Sequence, residues 1–328
     1  MPTNLPPQYF EVEKVYREAK TAQEKIAALE EMLAIMPKHK GTDHLKADLR
    51  RRIAKLSQSV DKKTATQRAS MVIQKEGAAQ VLVLGQPNAG KSQLVATLTN
   101  ASPPVADYPF TTQTATPGMM EFENIQIQLV DTPPLVAGST QPWLPPNLVR
   151  ADALLLVVDL IDDPLDQVET IANELVKMRI DIGVGQVQFD EEQSAALRRK
   201  KAIIIGNKID LDEARQNYEV LQELYQDKLP VMAISASKGT GLEELKLRVF
   251  QLLDIIRVYT KTPGQTPDLN DPIVLERGST LEDAAAEVHK DFRARLKYAR
   301  IWGSGKHDGI MVKRDHILQD GDIIELHV

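Results

Sequence analysis

The chain opens with helical periodicity and changes character at residue 79, where short apolar runs take over. Between Glu11 and Met36, the residues Ile26, Leu29, Leu33 and Met36 recur at spacings of three and four, the period of one helix face. Pro37 and Gly41 end that pattern. A second stripe follows, Leu45, Leu49, Ile53 and Leu56, so the two predict a helical hairpin that buries one stripe against the other. From Ala79 onward, the runs at 81–84, 125–131, 153–159, 202–207 and 231–235 are rich in Val, Ile and Leu with little polar alternation. Strands of that kind are covered on both faces, and the helical stretches between them predict a mostly parallel sheet wound with helices. This α/β domain spans about 79–260, with residues 1–78 as the helical region before it. A Pro/Gly/Asp linker at 261–272 leads to a strand-like 273–276, a helix from Thr280 to about Phe292, a strand-like 297–302 and a closing apolar run. These predict a small α+β unit over 268–328.

Composition narrows the class without changing this outline. A chain of 328 residues, 42% hydrophobic and 26% charged, is ordinary globular material for two or three domains. The absence of cysteine excludes a disulfide framework and any cysteine nucleophile or metal ligand. No run approaches the roughly 18 apolar residues of a membrane span. The opening MPTNLPPQYFEVEK has no basic region followed by an apolar core, so no secretory signal is expected and the cytoplasm is the default compartment. The net charge of −6 argues against a wholly nucleic-acid-binding surface. From Lys38 to Arg68, however, ten Lys and Arg stand against three Asp, with Lys46, Arg50, Arg51, Arg52 and Lys55 close along one helix. That segment reads either as a localised contact for a polyanion such as RNA or as a solvated helix face.

The chemistry begins at Gly85-Gln86-Pro87-Asn88-Ala89-Gly90-Lys91-Ser92, between an apolar strand and a helical pattern. This is G-x-x-x-x-G-K-[ST] in the strand-to-helix setting that gives it physical meaning. Glycines let the backbone amides close around a phosphate, and the helix N-terminus adds partial positive charge. Lys91 is placed to reach the β- and γ-phosphates, and Ser92 to offer its hydroxyl to Mg²⁺. Four further elements fall in the order a nucleotide pocket needs. After Phe110, Thr111 or Thr112 can join Mg²⁺, with Thr112 the favoured ligand, and Asp131 at a strand end can hold the ion through water. Asn207-Lys208-Ile209-Asp210 ends another strand, and the Asp210 carboxylate can accept from both the ring N–H and the amino group of guanine. Ser235-Ala236-Ser237 can donate a backbone N–H to guanine O6.

In this order the five elements resemble the translation-factor class of GTP-binding domains. The flanks are similar to one branch of it, the Obg family, in particular the developmentally regulated GTP-binding proteins. The stretch DYPFTTQTATPG at 107–118 resembles their first switch, and KHKGTDHLKADLRRRIAKL is similar to part of their helical hairpin. The stretch from PIVLERGSTLEDAAAEVHKDF through KYARIWGSGKH to the end resembles their TGS domain, a ubiquitin-like β-grasp module. The resemblance covers nearly the whole chain. It implies a slow Mg²⁺-dependent GTPase switch linked to ribosomes or translation, with a TGS domain that meets a protein partner. In relatives that use K⁺, an asparagine at the place of Asn88 helps hold that ion. The plain alternative for Asn88 is a turn residue.

One departure falls on the catalytic side. The family's D-x-x-G reads Asp131-Thr132-Pro133-Pro134 here, and proline has no N–H to offer a γ-phosphate. Leu135 follows, where Ras-like enzymes carry a water-orienting glutamine. The leading expectation is a slow GTPase with Lys91, Thr112 and Asn88 in catalytic roles. The alternative is a guanine-nucleotide-dependent scaffold with little or no hydrolysis. An Obg-like ATPase fits less well, because Asn207, Lys208 and Asp210 read guanine. Trp143, in a Pro-rich stretch, reads as a packed anchor in preference to a mobile switch residue.

Overall fold

A computed structural model describes residues 6–19, 22–36, 45–55, 72–99, 115–138, 141–184, 197–304 and 308–327. The chain divides into two compact units, Met1–Val72 and Ile73–Val328.

In the first unit the expected single helix over 11–36 is two, Pro7–Glu18 and Ala22–Ile35, and residues 45–55 form another. Their core is Tyr9, Val12, Ala28, Leu29, Met32, Met36 and Leu49, with Leu33, Leu45 and Ile53 packed partly against it. Two stripes therefore meet as the spacing predicts, and the extra first helix adds Tyr9 and Val12. Leu56 lies outside the described residues. Arg50, Arg51, Arg52 and Lys55 are exposed, and Arg52 pairs with Asp48 at 2.9 Å.

The second unit carries two main sheets. The first has six strands: β1 (Ala79–Leu84), β2 (Thr116–Phe122), β3 (Ile125–Asp131), β4 (Ala153–Asp159), β7 (Lys201–Asn207) and β8 (Val231–Ala233). Its order is β2-β3-β1-β4-β7-β8, parallel except for β2, which folds back on β3 as a hairpin. β5 (Ile180–Asp181) and β6 (Arg198–Arg199) form a separate short ladder. β1 and β4 are buried along their whole length, as expected for strands covered on both faces. Among the buried polar side chains that interrupt the apolar rule are Gln80 on β1 and Gln128 on β3. They bond each other at 2.7 Å and hold the incoming chain through Ile73 O and Gln74 O. With Ile73 N–H donating to Asn147 and Gly77 bridging to Ile127, residues 73–78 belong to the second unit, not to the helical region expected to run to 78.

The second sheet has the order β10-β9-β13-β11-β12, built from β9 (Ile255–Thr260), β10 (Ile273–Glu276), β11 (Tyr298–Trp302), β12 (Ile310–Val312) and β13 (Asp322–His327). The helix Leu281–Val288, started by a reciprocal Thr280–Asp283 capping box, packs Leu281, Ala284 and Ala285 against Ile256, Val258, Ala299, Ile301 and Ile324. This is the α+β unit of the sequence, with β9 added: the expected boundary at 260 falls inside this sheet, which begins at 255. The helix expected to reach Phe292 ends at Val288, and Lys290–Arg295 forms a separate turn of helix.

The two sheets are fastened at the β2–β3 turn. Arg257 on β9 donates to Asp320 at 2.8 and 3.0 Å, pairs with Glu123, and lies over the Phe250 ring at 4.9 Å. Asn124 donates to the Tyr259 hydroxyl at 2.7 Å and to Leu269 O at 2.8 Å. Phe250 in turn stacks on Phe122.

Candidate nucleotide site

At the carboxyl end of β1 the chain turns through residues 85–90 into the helix Lys91–Thr99. Two glycines are forced here by contact. A Cβ on Gly85 would stand 2.3 Å from Val157 O, and one on Gly90, whose φ is +91°, 2.2 Å from the Asn207 side-chain nitrogen. Asn88 has φ 63°, the left-handed backbone that its turn reading anticipates. The Lys91 ammonium rests on Gln86 O at 2.9 Å, inside the loop where a β-phosphate would sit.

Ser92 Oγ donates to Asp131 Oδ2 at 2.5 Å, so the first element and the end of β3 meet as expected. The second oxygen of that carboxylate, Oδ1, is buried and has no hydrogen-bond partner among the described residues. Burial pushes the Asp131 carboxyl above its usual range, opposed by Ser92 and Lys91. Burial likewise pushes Lys91 below its usual range, with Asp131 drawing it back. A hydroxyl beside a carboxylate with one oxygen to spare is a fitting donor set for a hard, oxygen-seeking cation that takes its remaining ligands from phosphate and water. A cleft of about 570 Å³ lies over these groups, lined also by Asn88, Thr132, Pro133 and Pro134.

Beyond Asp131 the chain is tightly placed. The Thr132 hydroxyl, buried, donates to Val83 O at 2.7 Å. Pro134 is exposed, Leu135 is 2% exposed, and the Leu135 N–H is spent on Gly85 O at 3.0 Å. Trp143 is buried, with its indole N–H on Gln141, as an anchor should be. Phe110, Thr111 and Thr112 lie outside the described residues.

The elements expected to read the base meet on the far side of Gly90. Asn207, at the end of β7, donates to Ala89 O at 2.8 Å and accepts from the Ala236 N–H at 3.0 Å, joining three loops. Ser235 and Ser237 hydroxyls are 3.2 Å apart, and Ser235 Oγ accepts from the Lys238 N–H. Asp210 is exposed at the rim of a cavity of about 200 Å³, shared with Gly90, Gln93, Asn207, Lys208, Ala236 and Ser237. Gly90 and Gln93 also line the phosphate cleft, so the two pockets adjoin. The reading from sequence missed Asp159, whose carboxylate pairs with Lys208. Its signal was a lone acid closing an apolar strand next to the guanine-motif strand.

These features sit at the carboxyl ends of parallel strands, where ligands of wound α/β sheets bind. A family model described as 50S ribosome-binding GTPase matches residues 80–208, and one described as TGS domain matches residues 256–328. The second match begins within β9, in accord with the sheet boundary. A GTP-binding protein of Methanocaldococcus jannaschii is 29% identical, covering 93% of this chain and 92% of its own. Developmentally-regulated GTP-binding protein 1 of Xenopus laevis is 28% identical, covering 92% of this chain and 98% of its own. Among solved structures, the YchF GTPase of Schizosaccharomyces pombe shares the fold, with a TM-score of 0.54 at 12% identity over 77% of this chain and 99% of that one. Sequence matches and sheet topology agree: the chain carries a P-loop GTPase domain followed by a TGS domain, and the proteins it is similar to over nine tenths of its length include the developmentally regulated GTP-binding proteins.

Proposed function

We propose that the protein binds GTP and GDP with Mg²⁺ and hydrolyses GTP slowly, as a switch linked to ribosomes or translation. The observation that carries this reading is the Ser92–Asp131 pair, with its spare carboxylate oxygen, set between a phosphate loop and a guanine-reading pocket. The loop amides and Lys91 bind the β- and γ-phosphates, Asp210 accepts from the guanine edge, and the Ala236 loop donates to O6. Ser92 and Asp131 would hold Mg²⁺, with Thr112 as the family's further ligand, and the ion would supply charge neutralisation at the phosphate oxygens. A water then attacks the γ-phosphate, and Lys91 stabilises the charge that builds up on the oxygens. Turnover is slow because Leu135 is buried and offers nothing to orient that water.

Multiple-turnover phosphate release, with Lys91→Ala as control, tests the reading. Release that is no faster than the control favours the second reading, a guanine-nucleotide-dependent scaffold. That reading is supported by Pro134, which has no N–H, and by the neighbouring Leu135 N–H, which Gly85 O occupies. Asn88 is the proposed K⁺ ligand. Faster release in KCl than in NaCl, lost in Asn88→Ala, is the expected outcome, and equal rates remove the idea.

No described helix is long and apolar enough to cross a membrane. The proposed partners are RNA on the ribosome, met by Lys46, Arg50, Arg51, Arg52 and Lys55, and a protein met by the TGS domain. The family description as a ribosome-binding GTPase supports the first, as does the exposure of Arg50, Arg51, Arg52 and Lys55 in an otherwise acidic chain. Phosphate contacts release counterions, so binding should weaken steeply with salt. Reversing Arg50, Arg51 and Arg52 to Glu should abolish co-sedimentation with ribosomes at low salt and leave nucleotide affinity unchanged. A triple variant that sediments like the parent makes this run a solvated face.

A further inference from the structure

We infer that Asp159 is a positioning residue for base recognition: it holds Lys208, and through Lys208 it sets the aim of Asp210. The inference rests on the guanine-nucleotide reading above and goes beyond it in naming what determines base specificity.

Asp159 is the last residue of β4 and stands in register with Asn207, the first residue of the guanine motif. Its side chain is 11% exposed. One carboxylate oxygen pairs with the Lys208 ammonium, and the other accepts from the Ile161 N–H at 3.0 Å. The backbone of Asp159 is fixed in turn. Gln167, itself buried, accepts from the Asp159 N–H at 3.0 Å and donates to its carbonyl at 3.2 Å. The next amide, Leu160 N–H, donates to Asn207 O at 3.1 Å. Asp159 is thus held from three sides before it meets Lys208.

Lys208 needs such a holder. Its φ is 70°, a left-handed backbone that is unfavourable for a residue with a side chain and persists only where its surroundings over-determine it. That turn sends the chain from β7 back across the sheet end, where the Ile209 N–H donates to Ile234 O at 3.0 Å and Asp210 reaches the rim of the base pocket. An ammonium drawn to Asp159 leaves the aliphatic stem of Lys208 as a wall of that pocket. Asp210 itself has an exposed side chain, so its aim depends on the backbone behind it. A partly buried ion pair is weak evidence for stability alone, and here its place beside a strained, ligand-facing loop gives it a positioning role.

The variant Asp159→Asn keeps the shape and the acceptor for Ile161 while removing the charge. Competition against a fluorescent GDP, at fixed Mg²⁺, reads the affinities of GTP, ITP and ATP, with thermal unfolding measured on the same samples. ITP lacks the 2-amino group that Asp210 reads and is otherwise the same ligand. The expected result is at least a tenfold loss for GTP, a smaller loss for ITP and none for ATP, so the GTP:ITP ratio falls. Three affinities that fall together, or an unchanged ratio, overturn the inference and leave the pair structural. Where Asp159→Asn lowers the melting temperature too far for measurement, Lys208→Met removes the other half of the pair and should lower the same ratio. In the cycle with both changes the double variant should be no worse than the poorer single variant, and additive losses overturn the inference. A parent protein with no preference for GTP over ATP would instead strike down the guanine reading itself.

Discussion

The two ends of the nucleotide pocket are built differently. At the base end every loop is tied to another: Asn207 bonds the phosphate loop and the Ala236 loop, Asp159 holds Lys208, and Gly90 admits Asn207 at a distance no side chain could share. At the end proposed for the γ-phosphate, the corresponding donors among the described residues are missing or in use. Pro134 has no N–H, the Leu135 N–H is bonded to Gly85 O, and the Leu135 side chain points into the core. On the proposed reading, binding and switching are separable in this fold: the pocket reads the base with full definition while its γ-phosphate sensor is reduced.

The sharpest way to break that contrast is to damage the base end. Asp210→Asn should abolish the preference for guanine and shift it toward xanthine nucleotides, because the amide presents a donor where guanine needs an acceptor. The discrimination between GTP and ATP in the parent should be on the order of 10⁴, since adenine leaves a built polar partner unmet. Equal affinities in a competition assay would sink it. Next in size is Gly90→Ala, which places a methyl group against Asn207 and forces an unfavourable φ. Strain of about 3 kcal/mol corresponds to roughly a hundredfold loss for GTP and GDP alike, measurable by titration calorimetry. A loss confined to GTP would mean that the Asn207 tie serves the γ-phosphate and not the whole pocket.

The γ-phosphate end is sharpened by adding what it lacks. Pro134→Gly restores one N–H, and a hydrogen bond to a charged phosphate is worth about 1.5–3 kcal/mol. The ratio of affinities for a non-hydrolysable GTP analogue and GDP should rise about tenfold, allowing for the added freedom of glycine. An unchanged ratio would show that the Gly85–Leu135 bond, and not proline, sets the reduced sensor.

The smallest effect lies away from the pocket. Burial pushes Asp320 up, but its bonds to Arg257 outweigh this and hold it below the usual carboxylate range. A carboxyl with a depressed folded-state value stabilises the fold above its unfolded value, near 4, and that stability fades as the pH falls through the folded value. Denaturant unfolding at pH 7 and pH 3 should therefore show a smaller acid loss in Asp320→Asn than in the parent. An identical pH slope would mean that other carboxylates dominate.

Which parts could be read from sequence follows from the same physics. Strands β1, β3, β4, β7 and β8 are predominantly Val, Ile, Leu, Met and Ala and announce themselves, as does a phosphate loop whose residue types are fixed by contact. β2 has half-exposed positions on an edge and the sequence TPGMMEF, with Pro117 and Gly118, so it carries little strand signal. The break after Glu18 was hidden because Ala, Gln, Glu and Lys on its far side are good helix formers. Its cue is Thr21 followed three residues later by Glu24, the spacing of a capping box. β9 was assigned to the wrong neighbour because an apolar IIRVYT says that a strand is buried, not which sheet buries it. Asp159 went unread as a site residue for a related reason: its meaning depends on the strand beside it, and strand order is not written in one strand's sequence.

That placement of β9 settles where the chain can be cut. The helix Leu242–Leu253 ends, Asp254 alone turns with φ 57°, and β9 starts at Ile255 with its neighbours β10 and β13 arriving only later in the chain. A protein shortened after Thr260 retains β9 but loses both pairing partners. It exposes Ile256 and Val258, now fully buried, on an unsatisfied strand edge that recruits other chains. A protein shortened after Leu253 leaves that strand behind. Between the two designs lie seven residues, and only the longer one carries an apolar strand with neither of its pairing partners.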